Sequence, residues 1–366
     1  MQSAAVVKFV PLCKNSKRRI PQWMGSNEKR HMKYKSRMWQ RYQESKSYND
    51  WVEYKRAQNK VTREYKKAKK KFEKKLALNI KANPKAFYAF VRSKSMTKEK
   101  VGPLKNAGGE MFSDDQEMCH LLNDYFNSVF TNEKLDSGVI EVEQVYKGDH
   151  ANRLQNIEIT NEIVLNVIKK LKNNKAAGVD DLGSTLFKST AQNICYPLCL
   201  IFKASLNEGC VPADWKRANV TAIFKSGPKD NPGNYRPVSL TVQACKIMET
   251  LLRDNIVQHL QKFKLVRDSQ HGFTKGRSCL TNLLLYLDFV SNYIDKGVPV
   301  DAIYLDFRKA FDKVPHKRLL NKVRANGIDG LVANWIEEWL LGREQRVVLN
   351  GKSSDWTRVL SGVPQG

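Results

Sequence analysis

Residues 300–316 read VDAIYLDFRKAFDKVPH. The run Ala302-Ile303-Tyr304-Leu305 is apolar, with Gly297 and Pro299 before it and Pro315 after it, so it predicts a short buried strand. That strand would deliver Asp306. Phe311 follows five residues on, with a second carboxylate, Asp312, beside it. An unpaired carboxylate at the end of a core strand is costly, so Asp306 is expected to face a cation or a hydrogen-bond donor. Taken alone, Asp306 is better read as half of a surface ion pair with Arg308 or Lys309. The rest of the chain decides against that account.

At 366 residues the chain can bury a sizeable core and form two or three structural units. No apolar run reaches the length of a membrane span, and MQSAAVVKFVPL at residues 1–12 is too weakly apolar for a secretory signal. A soluble or peripheral, intracellular protein is expected. The seven cysteines contain no Cys-x-x-Cys. Cys195 and Cys199 fall on one helix face with no histidine nearby in sequence, which fits reduced structural thiols better than a zinc site.

The net charge of +26 is unevenly spread. Residues 1–100 hold 29 Lys and Arg against 7 Asp and Glu, a net of +22, while the remaining 266 hold 34 against 30, a net of +4. A polybasic arm joined to a nearly neutral body points to a polyanionic partner, most often nucleic acid. From Lys33 to Ile80 the pattern predicts helix, with Tyr54, Ala57, Val61, Tyr65, Ala68, Phe72, Leu76 and Ile80 on one face. Lys66, Lys67, Lys69, Lys70 and Lys71 crowd the remainder. A solvated helix would look similar, but so dense a block of one sign repels itself and favours contact with phosphates.

Further on, Ser113 and Gln116 predict a capping box, ahead of a stripe of Met118, Leu121, Leu122, Tyr125, Phe126 and Val129. A second amphipathic helix should bury Ile163, Val167, Ile168 and Leu171. Asp114-Asp115 suits a helix N-terminus, and Asp180-Asp181 a loop that hydrogen-bonds itself. A strand from Val220 to Phe224, a Gly/Pro/Asn turn and a returning strand predict a hairpin carrying Lys225 and Arg236 near its tip. Two cations so placed suit a polyphosphate, which Arg can bind bidentately. No Gly-x4-Gly-Lys-Ser/Thr occurs, so this is not a P-loop. Ser278 or Thr281 should cap a helix with Leu283, Leu287, Val290 and Ile294 on its buried face.

Five blocks stand in order: KAAGVDDL from 175, FKSGPKDNPGNYRPVSLT from 224, SQHGFTKGRSCLTNLL from 269, VDAIYLDFRKAFDKVPHKRLL from 300 and SGVPQG from 361. Together, over roughly residues 100–366, they resemble a reverse transcriptase of a non-LTR (LINE) retrotransposon, of the jockey-like or chicken-repeat-like kind. The resemblance implies an α+β fold, a right-hand polymerase fragment with fingers and the first part of a palm behind a long basic helical arm. Its expected divisions are 1–100 (arm), 101–207 (helical extension) and 208–366 (reverse transcriptase domain).

Carried onto matching positions, the resemblance makes Asp306 the first catalytic aspartate and, with the main-chain carbonyl of Phe307, a ligand of Mg²⁺. Phe311 becomes the aromatic gate that selects deoxynucleotides. Lys225 and Arg236 clasp the incoming triphosphate, Gln365 lines the nucleotide pocket and Arg277 contacts the template backbone. The implied partners are an RNA template, a DNA primer and a deoxynucleoside triphosphate, and the implied location is the nucleus. The family's Asp-Asp palm hairpin is expected beyond Gly366. A single Asp306 cannot hold two Mg²⁺ ions, so the chain alone is expected not to polymerise. The alternative is a non-catalytic remnant that binds nucleic acid through its basic arm.

Overall fold

The computed structural model describes residues 21, 23–81, 83–94, 101–132, 144–173 and 175–365. Residues 1–20, 22, 82, 95–100, 133–143, 174 and 366 lie outside them. The chain divides into two compact units, Met1–Glu99 and Lys100–Gly366.

The first unit is helical, with α1 (Ser26–Ser45), α2 (Tyr48–Leu78) and α3 (Pro84–Lys94). The single helix expected over 33–80 is therefore two. Lys46 takes a left-handed conformation with φ 53°, and the Ser47 hydroxyl accepts from the Asn49 amide at 3.3 Å, starting a new helix. The break lets α1 fold back on α2. Trp39 meets Tyr54 at 4.8 Å between ring centroids, and Tyr42 meets Trp51 at 5.2 Å. Asp50, buried at the turn, accepts from the Arg41 guanidinium at 2.9 Å and from the Ser45 hydroxyl.

The second unit mixes helix and sheet. After a small ribbon, β1 (Leu104–Lys105) with β2 (Met111–Phe112), comes α4 (Asp115–Ser128). Its cap is Asp114, one residue after the predicted Ser113; the carboxylate accepts from the amides of Gln116 and Glu117. Then follow α5 (Asn161–Lys170), α6 (Ser184–Ser189), α7 (Ala191–Glu208), β3 (Arg217–Phe224), β4 (Tyr235–Leu240) and α8 (Gln243–Lys262). The chain continues through α9 (Cys279–Asp295), α10 (His316–Ala325), α11 (Gly330–Leu340), β5 (Glu344–Leu349), β6 (Lys352–Ser353) and β7 (Thr357–Arg358). No described helix is long and apolar enough to cross a membrane.

Strands β4, β3, β5 and β6 lie side by side in that order, and β7 also pairs with β5. The predicted hairpin is β3–β4, antiparallel, with Ile223 opposite Arg236 and Phe224 opposite Tyr235. Strand β5 joins the other edge of β3 in parallel, Arg217 opposite Glu344 and Asn219 opposite Arg346. Both pairs are reinforced by side chains: Arg217 Nε reaches Glu344 Oε2 at 3.0 Å, and Arg346 Nε donates to Asn219 Oδ1 at 2.8 Å. Helix α4 covers the sheet, burying Met118, Cys119, Leu122 and Phe126 with Val220, Tyr235 and Val347.

A second apolar layer forms where α5, α7, α8 and α11 meet. The buried residues of α5 are Val164 and Ile168, so its face is turned by one residue from the expected one, and Ile163 is exposed. Cys195 and Cys199 are buried on one side of α7, as the spacing indicated, and Trp335 Nε1 donates to Ser205 Oγ at 2.9 Å. In the loop before α6, the Leu182 amide donates to Asp180 Oδ1 at 3.1 Å, the self-bonding expected there.

Two further expectations fail. Helix α9 begins at Ser278 as predicted, but its Leu283, Leu287, Val290 and Ile294 bury against nothing described; the helix has no buried residue. The run 302–305 is not a buried strand. It forms no strand and faces solvent, with Ile303, Tyr304 and Leu305 exposed by 85, 82 and 89%. Among the described residues no strand lies beside it. A lone strand leaves its amides and carbonyls to water, so apolar composition alone does not bury it.

On α8, burial pushes the Glu249 carboxyl above its ordinary value of 4.5, against the pull of Lys246 and Arg343. The folded state thus holds this proton more tightly than the unfolded chain. Its contribution to stability is complete at pH below about 4.5 and is lost as pH rises through the higher folded pKa. Glu249→Gln should flatten that decline, measured as the denaturation midpoint against pH; an unchanged pH slope would show that Glu249 does not set it.

Candidate functional site

The site is built around the ribbon β3–β4. Lys225 follows β3 directly, and its amide donates to the Asn234 carbonyl at 2.8 Å. Arg236 lies opposite Ile223, two residues before Lys225. Side chains two apart on a strand, and side chains directly opposite across a ladder, share a face, so Lys225 and Arg236 are diagonal neighbours on one face of the ribbon. Both are exposed. Strand β5 supports β3 only at 217–220, so the part of the ribbon bearing the cations extends beyond the sheet.

The turn at residues 308–312 and the loop at 361–365 hold one another. Val363 N donates to the Phe311 carbonyl at 2.8 Å and Gly362 N to the Val314 carbonyl at 2.8 Å. Ser361 Oγ donates to the Asp312 carbonyl at 2.7 Å and accepts from Thr131 N at 2.8 Å. The loop also reaches the ribbon, where Ser239 N donates to the Gln365 carbonyl at 2.7 Å. Gly362 adopts φ +83°, and a Cβ there would lie 2.4 Å from the Phe311 carbonyl oxygen. Only glycine fits this position.

The Gly362 carbonyl is anchored from behind. His316 Nε2 lies 2.9 Å away and is assigned as its donor, and Arg343 Nη2 donates to the same oxygen. Both side chains are buried. Burial brings the Arg343 guanidinium down to about 10, against the pull of Glu249. Burial also pushes the Asp312 carboxyl above its ordinary range, opposed by Lys309. Lys309 Nζ donates to Tyr125 Oη at 2.8 Å and lies 4.2 Å from the centre of that ring, which ties the turn to α4.

The predicted residues thus separate into two groups. Phe311, Gln365 and the ribbon of Lys225 and Arg236 are linked through the loop by main-chain hydrogen bonds. Asp306 and Phe307 lie on the exposed segment that precedes the turn, and Phe307 is 84% exposed. Asp306 makes no hydrogen bond or ion pair with the ribbon among the described residues. Arg277 is held within its own loop by Asp268 at 3.2 Å and the Gln270 carbonyl at 3.4 Å. Phe273 meets Phe311 edge to face at 6.1 Å. Lys66, Lys67, Lys69, Lys70 and Lys71 lie exposed on α2, in the first unit.

A two-ion Mg²⁺ site needs several carboxylates around it. Among the described residues no group of three or more His, Cys, Asp or Glu could hold a metal. Asp306 with one carbonyl does not complete such a site. The sequence pattern pointed to the loop but not to its anchors, since an arginine after a helix and a histidine after a proline carry no distinctive local signal.

Residues 227–366 match the reverse transcriptase (RNA-dependent DNA polymerase) family. Three similar proteins come from Drosophila melanogaster. A probable RNA-directed DNA polymerase from transposon BS is 25% identical, over 72% of this chain and 29% of that protein. The RNA-directed DNA polymerase from mobile element jockey is 28% identical, over 79% of this chain and 32% of that protein. A probable RNA-directed DNA polymerase from transposon X-element is 28% identical, over 56% of this chain and 22% of that protein. The chain spans a third or less of the length of these relatives. The chain is thus similar to the RNA-directed DNA polymerases of non-LTR, LINE-type retrotransposons.

Proposed function

We propose that this chain is the fingers and first palm segment of an RNA-directed DNA polymerase, with residues 208–366 as the polymerase domain, 101–207 as its helical extension and 1–100 as a basic arm. One observation carries the proposal. The ribbon bearing Lys225 and Arg236 is hydrogen-bonded to the loop of Gln365, and that loop is hydrogen-bonded to Phe311. Three elements remote in sequence therefore meet where a triphosphate, its base and its sugar would each need a contact. The guanidinium can take two phosphate oxygens at once and the ammonium acts as a point charge beside it. Phe311 then stands where it excludes a ribose 2′-hydroxyl, and Gln365 beside the base.

In the same reading Asp306 and the Phe307 carbonyl belong to the catalytic Mg²⁺ site, Arg277 approaches the template strand, and Lys66, Lys67, Lys69, Lys70 and Lys71 contact phosphates. The substrates are an RNA template, a DNA primer 3′-hydroxyl and deoxynucleoside triphosphates, and the work place is the nucleus. With one carboxylate in an incomplete donor set, residues 1–366 bind triphosphate without polymerising it. The incomplete donor set also favours a second reading, a remnant that binds nucleic acid without catalysis.

Binding of a fluorescent deoxynucleoside triphosphate separates the two readings. Lys225→Ala and Arg236→Ala should each weaken it about tenfold, the loss of one charged hydrogen-bonding partner. Affinity indifferent to both would leave only the second reading. Incorporation on a primed RNA template should be absent; Mg²⁺-dependent incorporation that disappears in Asp306→Ala would overturn the claim of inactivity.

The loop is testable separately. Gly362→Ala should cost about 1–3 kcal/mol in unfolding free energy through crowding and backbone strain. It should also weaken triphosphate binding, although residue 362 is not itself a phosphate ligand. Stability lost without any change in binding would show that the loop does not position the ribbon.

A further inference from the structure

Helix α2 carries a second ordered feature besides its apolar stripe. Arg56, Lys60, Arg63, Lys67, Lys70 and Lys74 recur at spacings of four, three, four, three and four, and all six are exposed. Such spacing aligns side chains in one row on a helix. Eighteen residues at 1.5 Å each make the row about 27 Å long. The acidic residues of α2 fall outside it: Asp50 is buried, and Glu53, Glu64 and Glu73 are only partly exposed. Arg56 is paired to Glu53 at 2.9 Å and Arg63 to Glu64 at 3.6 Å. Lys60, Lys67, Lys70 and Lys74 have no carboxylate partner among the described residues.

We propose that this row is a binding track for the phosphate backbone of double-stranded nucleic acid. It deepens the phosphate-contacting reading of the basic arm and needs nothing from the polymerase site. Cations spaced about 5 Å apart along a rigid rod gain most against the densest line of negative charge. A duplex presents one phosphate per roughly 1.7 Å of axis, twice the density of one of its strands. Single strands are instead bound largely by bases stacking on free aromatic faces. Here Trp39, Tyr42, Trp51 and Tyr54 are engaged with one another, joining α1 to α2. Membrane insertion would need the apolar stripe, and its Ala57 and Val61 are already buried. The row contains no side chain suited to reading base edges beyond its cations, so binding should not depend on sequence.

The test uses the full chain and short labelled duplexes of DNA and of RNA, with anisotropy read from about 50 to 200 mM salt. Lys60, Lys67, Lys70 and Lys74, all changed to Gln, should reduce the log–log salt slope on DNA by about 4 units, near one per phosphate released. Changing Lys66, Lys69, Lys71 and Lys75 to Gln removes equal charge from the same helix off the row, and should reduce the slope by clearly less than the row variant does. Gln keeps helix propensity close to that of Lys, and circular dichroism verifies that both variants stay helical. Equal losses in the two variants would overturn the track while sparing the arm; no loss in either would overturn both. Tighter binding to a single strand of the same sequence, or to anionic phospholipid vesicles, would also overturn the track. Binding of either duplex through the row supports it, and the tighter of the two identifies the form recognised.

Discussion

Both edges of β3 are occupied, by β4 on one side and by β5 on the other, and this double pairing sets the geometry of the second unit. The two partners differ in reach. β4 accompanies β3 from Asn219 to Phe224, whereas β5 accompanies it only from Arg217 to Val220. Half of β3 is therefore fixed in a sheet, and the other half projects as a two-stranded ribbon. A ribbon of that kind has little stability by itself. Its rigidity is borrowed from the rooted half, where Arg217–Glu344 and Arg346–Asn219 lock the parallel register with side-chain bonds. A cationic tip on such a ribbon can be exposed to solvent and still be held in place.

The same strand anchors the facing side. Arg343 immediately precedes β5, and its buried guanidinium grips the Gly362 carbonyl together with His316. A buried arginine is tolerable only when its donors find acceptors, and this carbonyl is one. The loop held there contacts Phe311 with one amide and β4 with one carbonyl. Ribbon root and loop anchor thus lie next to each other on a single strand. Movement of β5 would displace both together, preserving the spacing between ribbon and loop, which is the quantity a clasp for a small charged ligand must keep constant.

The parts legible in the sequence were local. The hairpin announced itself by alternating strands around PKDNPGN, the α4 start by its aspartates, and the α9 start by Ser278. What escaped was contact between distant segments. Nothing local says that 344–349 pairs in parallel with 217–220, or that Arg343 ends against residue 362. The run at 302–305 shows the converse. Its composition suits a buried strand, but burial belongs to the pair and not to the run, and no described strand lies beside it. The helical arm was misjudged for a smaller reason. Apolar residues flank Lys46–Ser47 on both sides, at Trp39, Tyr42, Trp51 and Tyr54, and the left-handed Lys46 and the capping Ser47 show the fold-back.

In the proposed reading the two units would engage negative charge by different physics. The ribbon offers two cations diagonal on one face, so selectivity must come from matching a few oxygens at short range, where bidentate geometry matters and salt matters less. The arm offers many cations in a line with little geometric demand on any one of them. Its attraction extends about a Debye length and weakens steeply with ionic strength. In the proposed reading, a net of +22 in the first hundred residues and +4 in the rest divides the two kinds of binding between different parts of the sequence. Were the surplus spread evenly, the ribbon face would attract nucleic-acid backbone as readily as a triphosphate, and the small ligand would compete against a polymer for the same two side chains. With the surplus carried by residues 1–100, residues 101–366 keep a net of only +4, and in the proposed reading the two ribbon cations would need no generally basic surface to define a site.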